Sequence, residues 1–437
     1  MSKKYQTYAA DANGLAVPEQ VSIAMDEIAA DMREGLLALA VGAGLQVMQQ
    51  LMGADVTALC GPRGRHDPAR VATRHGTEAG SVTLGGRRVP IRRPRVRAAD
   101  GSGELPVPSY ELFNGTALLG RMALERMLAG VSTRRYPTAL EPVDQQVQAT
   151  SRSTSRSAVS RGFVAMTQAA LADLLAADLS GVDLVALMID GVHFADHLCV
   201  VALGINIHGT KHPLADVEGS TQNTTLVRCL LVGLRERGLD VTKPILAVLD
   251  GAKALAAAVK EVFDAPVIGR RQLHKMRNVA DHLPHRMRGP VTKRMRAAYH
   301  ADTALQAEAL LEALAKEMDK EMDKTHPGAA GSLREGMAET LIVLRLGLPP
   351  TLARTLRLTN AIESMISICR DRAQNVKRWR DGQMALRWCA AGMVEASEQF
   401  RRVNGHIHLP ALRAALEQHL AAKNVAATCN THDMSAA

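Results

Sequence analysis

At 437 residues the chain is too long for one ordinary hydrophobic core and should divide into several domains. Its 47% hydrophobic content fits a globular protein, and no apolar run reaches the roughly 20 residues that cross a bilayer, which argues against a membrane protein. A net charge of +9 makes an anionic partner the natural expectation, nucleic acid first.

The opening residues, MSKKYQTYAADANG, lack the apolar stretch of a signal peptide, so a cytoplasmic, nucleoid-associated protein is expected. Cys60, Cys199, Cys229, Cys369, Cys389 and Cys429 form no C-x-x-C pair, which supports neither a zinc ribbon nor a disulfide framework; they read as packing residues. There is no G-x-x-x-x-G-K-[ST] loop, so no use of ATP is expected.

In chain order, Val21 to Met52 carries helical periodicity. Between Arg63 and Arg97 every basic group is arginine or histidine, opposed only by Asp67 and Glu78. Arginine makes two-pronged contacts to phosphate and guanine that lysine cannot copy, so the stretch reads as a DNA-facing surface or as a solvated basic loop. Two short strands, Ser81–Leu84 and Arg87–Ile91, are predicted around a glycine turn, offering Arg87, Arg88, Arg92, Arg93, Arg95 and Arg97 to DNA. A helix over Thr116–Ala129 follows. The serine- and arginine-rich segment Thr150–Val164 leads into an apolar helix, Ala165–Leu179, with Arg156 and Arg161 placed to grip phosphates. It reads as the second half of a helix-turn-helix or as a linker; Ala158 and Val159 favour the former. Residues 1–180 thus form a mostly helical, basic DNA-binding region.

From Val182 the pattern changes. Strands are predicted at Leu184–Ile189, Cys199–Ile207, Lys211–Val217, Pro244–Leu249 and Pro266–Ile268, with helices at Thr224–Arg237, Ala252–Phe263 and Gln272–Leu283. That order describes a mixed α/β sheet over 181–283. Residues 284–355 read as a wholly helical insertion, 356–420 as two long helices, Thr359–Arg380 and Met384–Arg402, and 421–437 as a flexible tail.

Two strands end alike, in Ile189-Asp190-Gly191 and Leu249-Asp250-Gly251. Acids at the ends of neighbouring strands repel unless a cation lies between them, which points to a divalent metal; turn-forming Asp-Gly pairs are the other reading. Oxygen ligands favour magnesium or manganese. Glu363 is the natural third acid: Ile362, Met365, Ile366, Cys369, Ala373 and Val376 make one helical stripe, and Asn360, Glu363, Ser367, Arg370, Gln374 and Lys377 another. A solvated helix side would show the same second stripe. His193 with His197 and His208 with His212 are set aside as zinc ligands, because i,i+4 spacing does not converge in strands or turns.

The segments LMIDGVHF, LAVLDGAKAL, RRQLHKMRNV and TLRLTNAIESMISICRDRAQNVKRW resemble the conserved blocks of the mutator-type transposases of bacterial insertion sequences. RRPRVR, AGVSTRRY and SRSAVSR resemble that family's N-terminal DNA-binding region, and the blocks run in family order from about residue 30 to 415. The resemblance implies a multidomain α/β chain with a ribonuclease-H-like core interrupted by a helical insertion. It implies catalytic, metal-holding acids at Asp190, Asp250 and Glu363, with two Mg2+ or Mn2+ ions per site. It also implies DNA contacts from the characteristic His274 with Arg277 and Asn278, aided by Arg370 and Lys377; His274 alone reads as well as a packed or solvated helix residue. Many relatives carry a cysteine where this chain has Arg271. The implied activity is cleavage and strand transfer at terminal inverted repeats, by a homodimer on DNA. Its rivals are a metal-dependent nuclease with the same core and a catalytically idle DNA-binding regulator.

Overall fold

The computed structural model describes residues 39, 42–65, 70–84, 86–139, 149–153, 155–219, 224–322 and 328–435. The chain divides into two compact units: Met1–Arg126 with Val131–Phe163, and Met127–Gly130 with Val164–Ala437. The division falls inside the helix Arg156–Ala176, upstream of the boundary expected near residue 180. Most of the predicted helix over Val21–Met52 lies outside the described residues.

In the first unit, a helix over 42–60 packs Met48, Met52, Val56 and Cys60 against Val82, Val89, Val96 and Tyr110. Its sheet is built on one antiparallel pair, β1 (Ala72–Leu84) and β2 (Arg87–Ala98), with β3 (Glu104–Leu105) and β4 (Arg152–Ser153) added at the two ends of β2. The described part of this region holds more helix than strand, as expected, but the hairpin strands run far beyond the short pair predicted. The reason lies in β2. Its arginines and prolines mask the alternation, yet Pro90 and Pro94 are tolerated because β3 and β4 pair only with Val96–Arg97 and Arg87–Arg88, leaving the middle of β2 with β1 as its sole partner. The serine–arginine segment also differs from expectation. One helix, Arg156–Ala176, starts within it, and Ser155 caps it by accepting from the Ala158 amide at 3.2 Å.

The second unit holds a five-stranded mixed sheet in the order β7-β6-β5-β8-β9. Strands β5 (Leu184–Phe194), β6 (His197–Asn206) and β7 (Lys211–Gly219) form an antiparallel meander. Strand β8 (Ile245–Leu249) joins β5 in parallel, and β9 (Pro266–Arg270) joins β8 in parallel. Helices Thr224–Glu236 and Lys253–Val262 cover one face through Leu187, Ile189, Val200, Leu231, Leu255 and Val259. Helices Asn360–Ala373 and Gly382–Glu398 pack on β5, β6 and β7. There Cys199 and Asp216, which alternate with the first set, meet Cys369 and Cys389.

Between β9 and Asn360, every described element is helical, from Gln272–Asp281 to Pro350–Leu358, and most of these helices share a separate core that includes Met295, Tyr299, Leu311, Leu314 and Leu341. The last helix runs Leu409–Ser435, through the stretch predicted as a flexible tail. Among the described residues no helix is long and apolar enough to cross a membrane.

Candidate active site

Strand β5 does not end at Asp190. It continues to Phe194, paired all the way with β6, and Asp190 lies opposite Val201. What stops is its other neighbour: β8 ends at Leu249. The parallel register pairs Met188 with Val248, so Asp190 and Asp250 each stand two residues beyond that pair and fall side by side. Asp190 is thus exposed by the loss of a neighbouring strand, while its own strand holds it rigidly from the other side.

Both carboxylates are half-buried and locally fixed. Asp190 Oδ1 accepts from the Gly191 amide at 2.8 Å, and Asp250 Oδ1 accepts from the Ala252 amide at 3.0 Å. Gly251 takes φ +100°, and a Cβ there would collide with the Arg270 guanidinium, so glycine is required after Asp250.

The helix Asn360–Ala373 packs on β5 and carries Glu363 in its first turn. Thr359 precedes it with φ +51° and donates its hydroxyl to Glu363 Oε1 at 3.1 Å. The helix is held from behind by a close approach: a Cβ on Gly392 would lie 2.8 Å from the Cys369 Cα. It is shorter than predicted and ends at Ala373. Beyond it the side chain of Asn375 donates to the Gly130 carbonyl, and Trp379 packs on Phe194 with ring centroids 4.9 Å apart. These tertiary contacts pull the chain off the helical path, so Lys377 is exposed in non-helical chain and does not share the face of Glu363 and Arg370.

A basic wall borders the acids. Arg271, 2% exposed, donates to Asp190 Oδ2 at 2.7 Å. Arg270, on the other side of the strand, reaches Glu335, as does fully buried Lys275. Together with Lys253, these groups surround the Glu335 carboxylate, and a pocket of about 140 Å³ lined by Gly251, Lys253, Arg270, Glu335 and Glu339 opens beside the Asp250 turn. Arg270, Lys275 and Glu335 are not among the residues that the sequence singles out for the site. The available signal was the pair Arg270-Arg271 at the end of an apolar strand.

Among the described residues no three acids, histidines or cysteines converge as their side chains stand. The donor chemistry nevertheless fits a hard divalent ion: three carboxylates, two of them side by side in register where the central strand β8 ends. As they stand, Asp190 is paired with Arg271, and Glu363 lies within hydrogen-bond reach of the Thr359 hydroxyl.

The sequence profile described as "Transposase, Mutator family" matches residues 20–403. The chain belongs to this family. Over 371 residues it is 25% identical to the transposase for insertion sequence element ISRM5 of Rhizobium meliloti (strain 1021), covering 84% of this chain and 90% of that relative. It is 28% identical over 291 residues to the transposase for insertion sequence element IS6120 of Mycolicibacterium smegmatis, covering 65% and 86%.

In this Mutator-family chain the other residues singled out from sequence are spread over both units. His274 is half-buried and Arg277 and Asn278 exposed on the helix Gln272–Asp281; Arg370 is exposed on the Glu363 helix. In the hairpin, Arg88 donates to the Asn114 carbonyl at 2.8 Å, and Arg92 to the Thr77 carbonyl at 3.1 Å. Arg93 and Arg95 are bound by Glu78 and by Glu104 of β3. Glu104 lies outside the stretch whose charges were weighed in the sequence, so fewer arginines are uncommitted than the sequence implied. Arg87 is half-buried, whereas Arg92, Arg97, Arg156 and Arg161 are exposed.

Proposed function

We propose that this chain is an insertion-sequence transposase that binds terminal inverted repeats and cleaves and joins DNA strands with Asp190, Asp250 and Glu363 as metal-holding acids. The observation that carries the reading is the register of β5 and β8, which sets Asp190 beside Asp250 where β8 ends, on a strand against which the Glu363 helix packs. The strand order β7-β6-β5-β8-β9, with the first three antiparallel and the last two parallel, supports a ribonuclease-H-like core. The helices between β9 and Asn360 are then the insertion.

The three acids would hold Mg2+ or Mn2+, two ions per site; when bound, such ions activate the attacking oxygen and stabilise the leaving one. The protein's own contribution is placement. The β6 pairing fixes Asp190, the Gly251 turn fixes Asp250, and close packing at Gly392 fixes the Glu363 helix. Arg277 and Arg370, exposed on the two helices that border the site, would offset phosphate charge as DNA enters. Arg97, Arg156 and Arg161 of the first unit would supply phosphate contacts that hold the repeat. Two such chains on paired repeats, with target DNA as the third partner, complete the reading.

Asp190→Asn, Asp250→Asn and Glu363→Gln test it, assayed on repeat-end DNA for cleavage and on preformed 3'-hydroxyl ends for joining. Each should lose both reactions by several orders of magnitude while binding repeat DNA as the unaltered protein does. Normal joining by Glu363→Gln would remove Glu363 from the site, and hydrolysis without any joining by the unaltered protein would make it a nuclease.

A further inference from the structure

A buried arginine that serves only structure uses its donors. Arg387 in the same unit does so, giving bonds to the Gln383 carbonyl at 3.2 Å and the Thr167 hydroxyl at 3.4 Å. Arg271 is as deeply placed, yet it makes one side-chain bond, to Asp190 Oδ2, and its Nε and Nη2 find no partner among the described residues. Leaving two donors of a charged group unmet in the interior is costly unless the position has another use.

The backbone shows what that use is. The Arg271 amide donates to the Leu249 carbonyl at 2.9 Å, which anchors the residue beside the strand that leads into Asp250. From there its side chain must cross the β8 strand line to reach Asp190 on β5. The guanidinium therefore meets Asp190 from the side of β8, the strand that leads into Asp250, where a second carboxylate stands close in register and a positive charge is most needed. The side chain yields that position by moving away from Asp190.

We infer that Arg271 is a resident counter-cation of Asp190, displaced from it when a divalent ion binds, so that metal loading is an exchange of cations opposed by this ion pair. The inference rests on the proposed role of Asp190 as a metal-holding acid. Arg271 is a positioning residue in this scheme: it acts on Asp190 and sets how readily the site loads.

The test is Mn2+ binding to the full-length, DNA-free protein, followed by titration calorimetry and by the electron paramagnetic resonance signal of free Mn2+. Arg271→Gln removes the competing charge and should tighten Mn2+ binding by on the order of tenfold. Arg271→Lys, which keeps a charge on a shorter stem, should fall between Gln and Arg; it carries the comparison if circular dichroism shows that Arg271→Gln does not fold. A merely structural arginine would leave affinity unchanged or weaken it on removal. Unchanged or weaker binding in the folded variant, with binding lost in Asp190→Asn, overturns the exchange and leaves the metal role of Asp190 standing. Undiminished binding in Asp190→Asn overturns that role and the exchange with it.

Discussion

The buried ammonium of Lys275 is bound to Glu335 twice over, through the main-chain carbonyl and through the carboxylate. Burial, reinforced by Arg270, lowers the Lys275 pKa from 10.5 to about 8. Between these values the unfolded chain holds a proton that the folded chain lacks, so this residue's contribution to stability rises with pH across that window and is flat below it. Denaturant unfolding from pH 7.5 to 10.5 should show the unaltered protein gaining stability relative to Lys275→Met. Glu335→Gln should cost about 1–2 kcal/mol, because it takes a charge from the buried Arg270 and Lys275 while its own side chain is half exposed. Equal slopes in the two proteins would show that Lys275 stays protonated throughout.

Asp216 on β7 gives the opposite dependence. It is buried beside the Cys389 thiol, neither of its oxygens has a hydrogen-bond partner in good geometry among the described residues, and burial pushes its pKa up to about 7. From about pH 4 to 7 the folded state keeps a proton that the unfolded state has released, so stability falls as pH rises through that range. Asp216→Asn keeps the shape without the charge. At pH 8 it should unfold at a higher denaturant concentration than the unaltered protein, by a difference on the order of a few kcal/mol. Near pH 4 the difference should vanish. A constant offset at both pH values would mean that the acid is not held neutral.

The hairpin arginines should separate by their partners. Arg97 is exposed, whereas Arg93 is engaged by Glu78 and Glu104 and lies over the Tyr110 ring at 5.1 Å. If the hairpin contacts DNA phosphate, Arg97→Ala should weaken binding to all sequences alike and reduce the slope of log affinity against log salt by about one. Arg93→Ala should instead lower thermal stability, by about 1 kcal/mol, with little change in that slope. Fluorescence anisotropy over a salt series together with thermal unfolding reads both. A larger slope change in Arg93→Ala than in Arg97→Ala would reverse the assignment.

The order of strands and helices from Leu184 to Arg270 was legible because each buried strand is a nearly unbroken apolar run and each helix has one apolar stripe. The two Asp-Gly pairs were visible for the same reason, as the points where such runs stop. Backbone pairing obeys other rules. The apolar run of β5 ends at Ile189, yet β6 carries the strand on to Phe194. Residues Gln374–Arg380 keep a helical look, but the Asn375 bond and the Trp379 contact decide their path, and neither has a local signal. Solvent exposure is the right default for most charged residues, so the burial of Arg271 and Lys275 could not be foreseen without knowing that Asp190 and Glu335 would meet them.

Arg270 and Arg271 are one backbone step apart at the end of β9, and they serve opposite sides of the sheet, Glu335 on one and Asp190 on the other. Because side chains alternate along a strand, a slip of one residue in Pro266–Gly269 would exchange the two arginines and turn both ion pairs to the wrong face. Val267 and Ile268 can trade for other apolar residues without touching that assignment. What this short segment must preserve is its length, so a single codon gained or lost there does more harm than a change of almost any one codon within it.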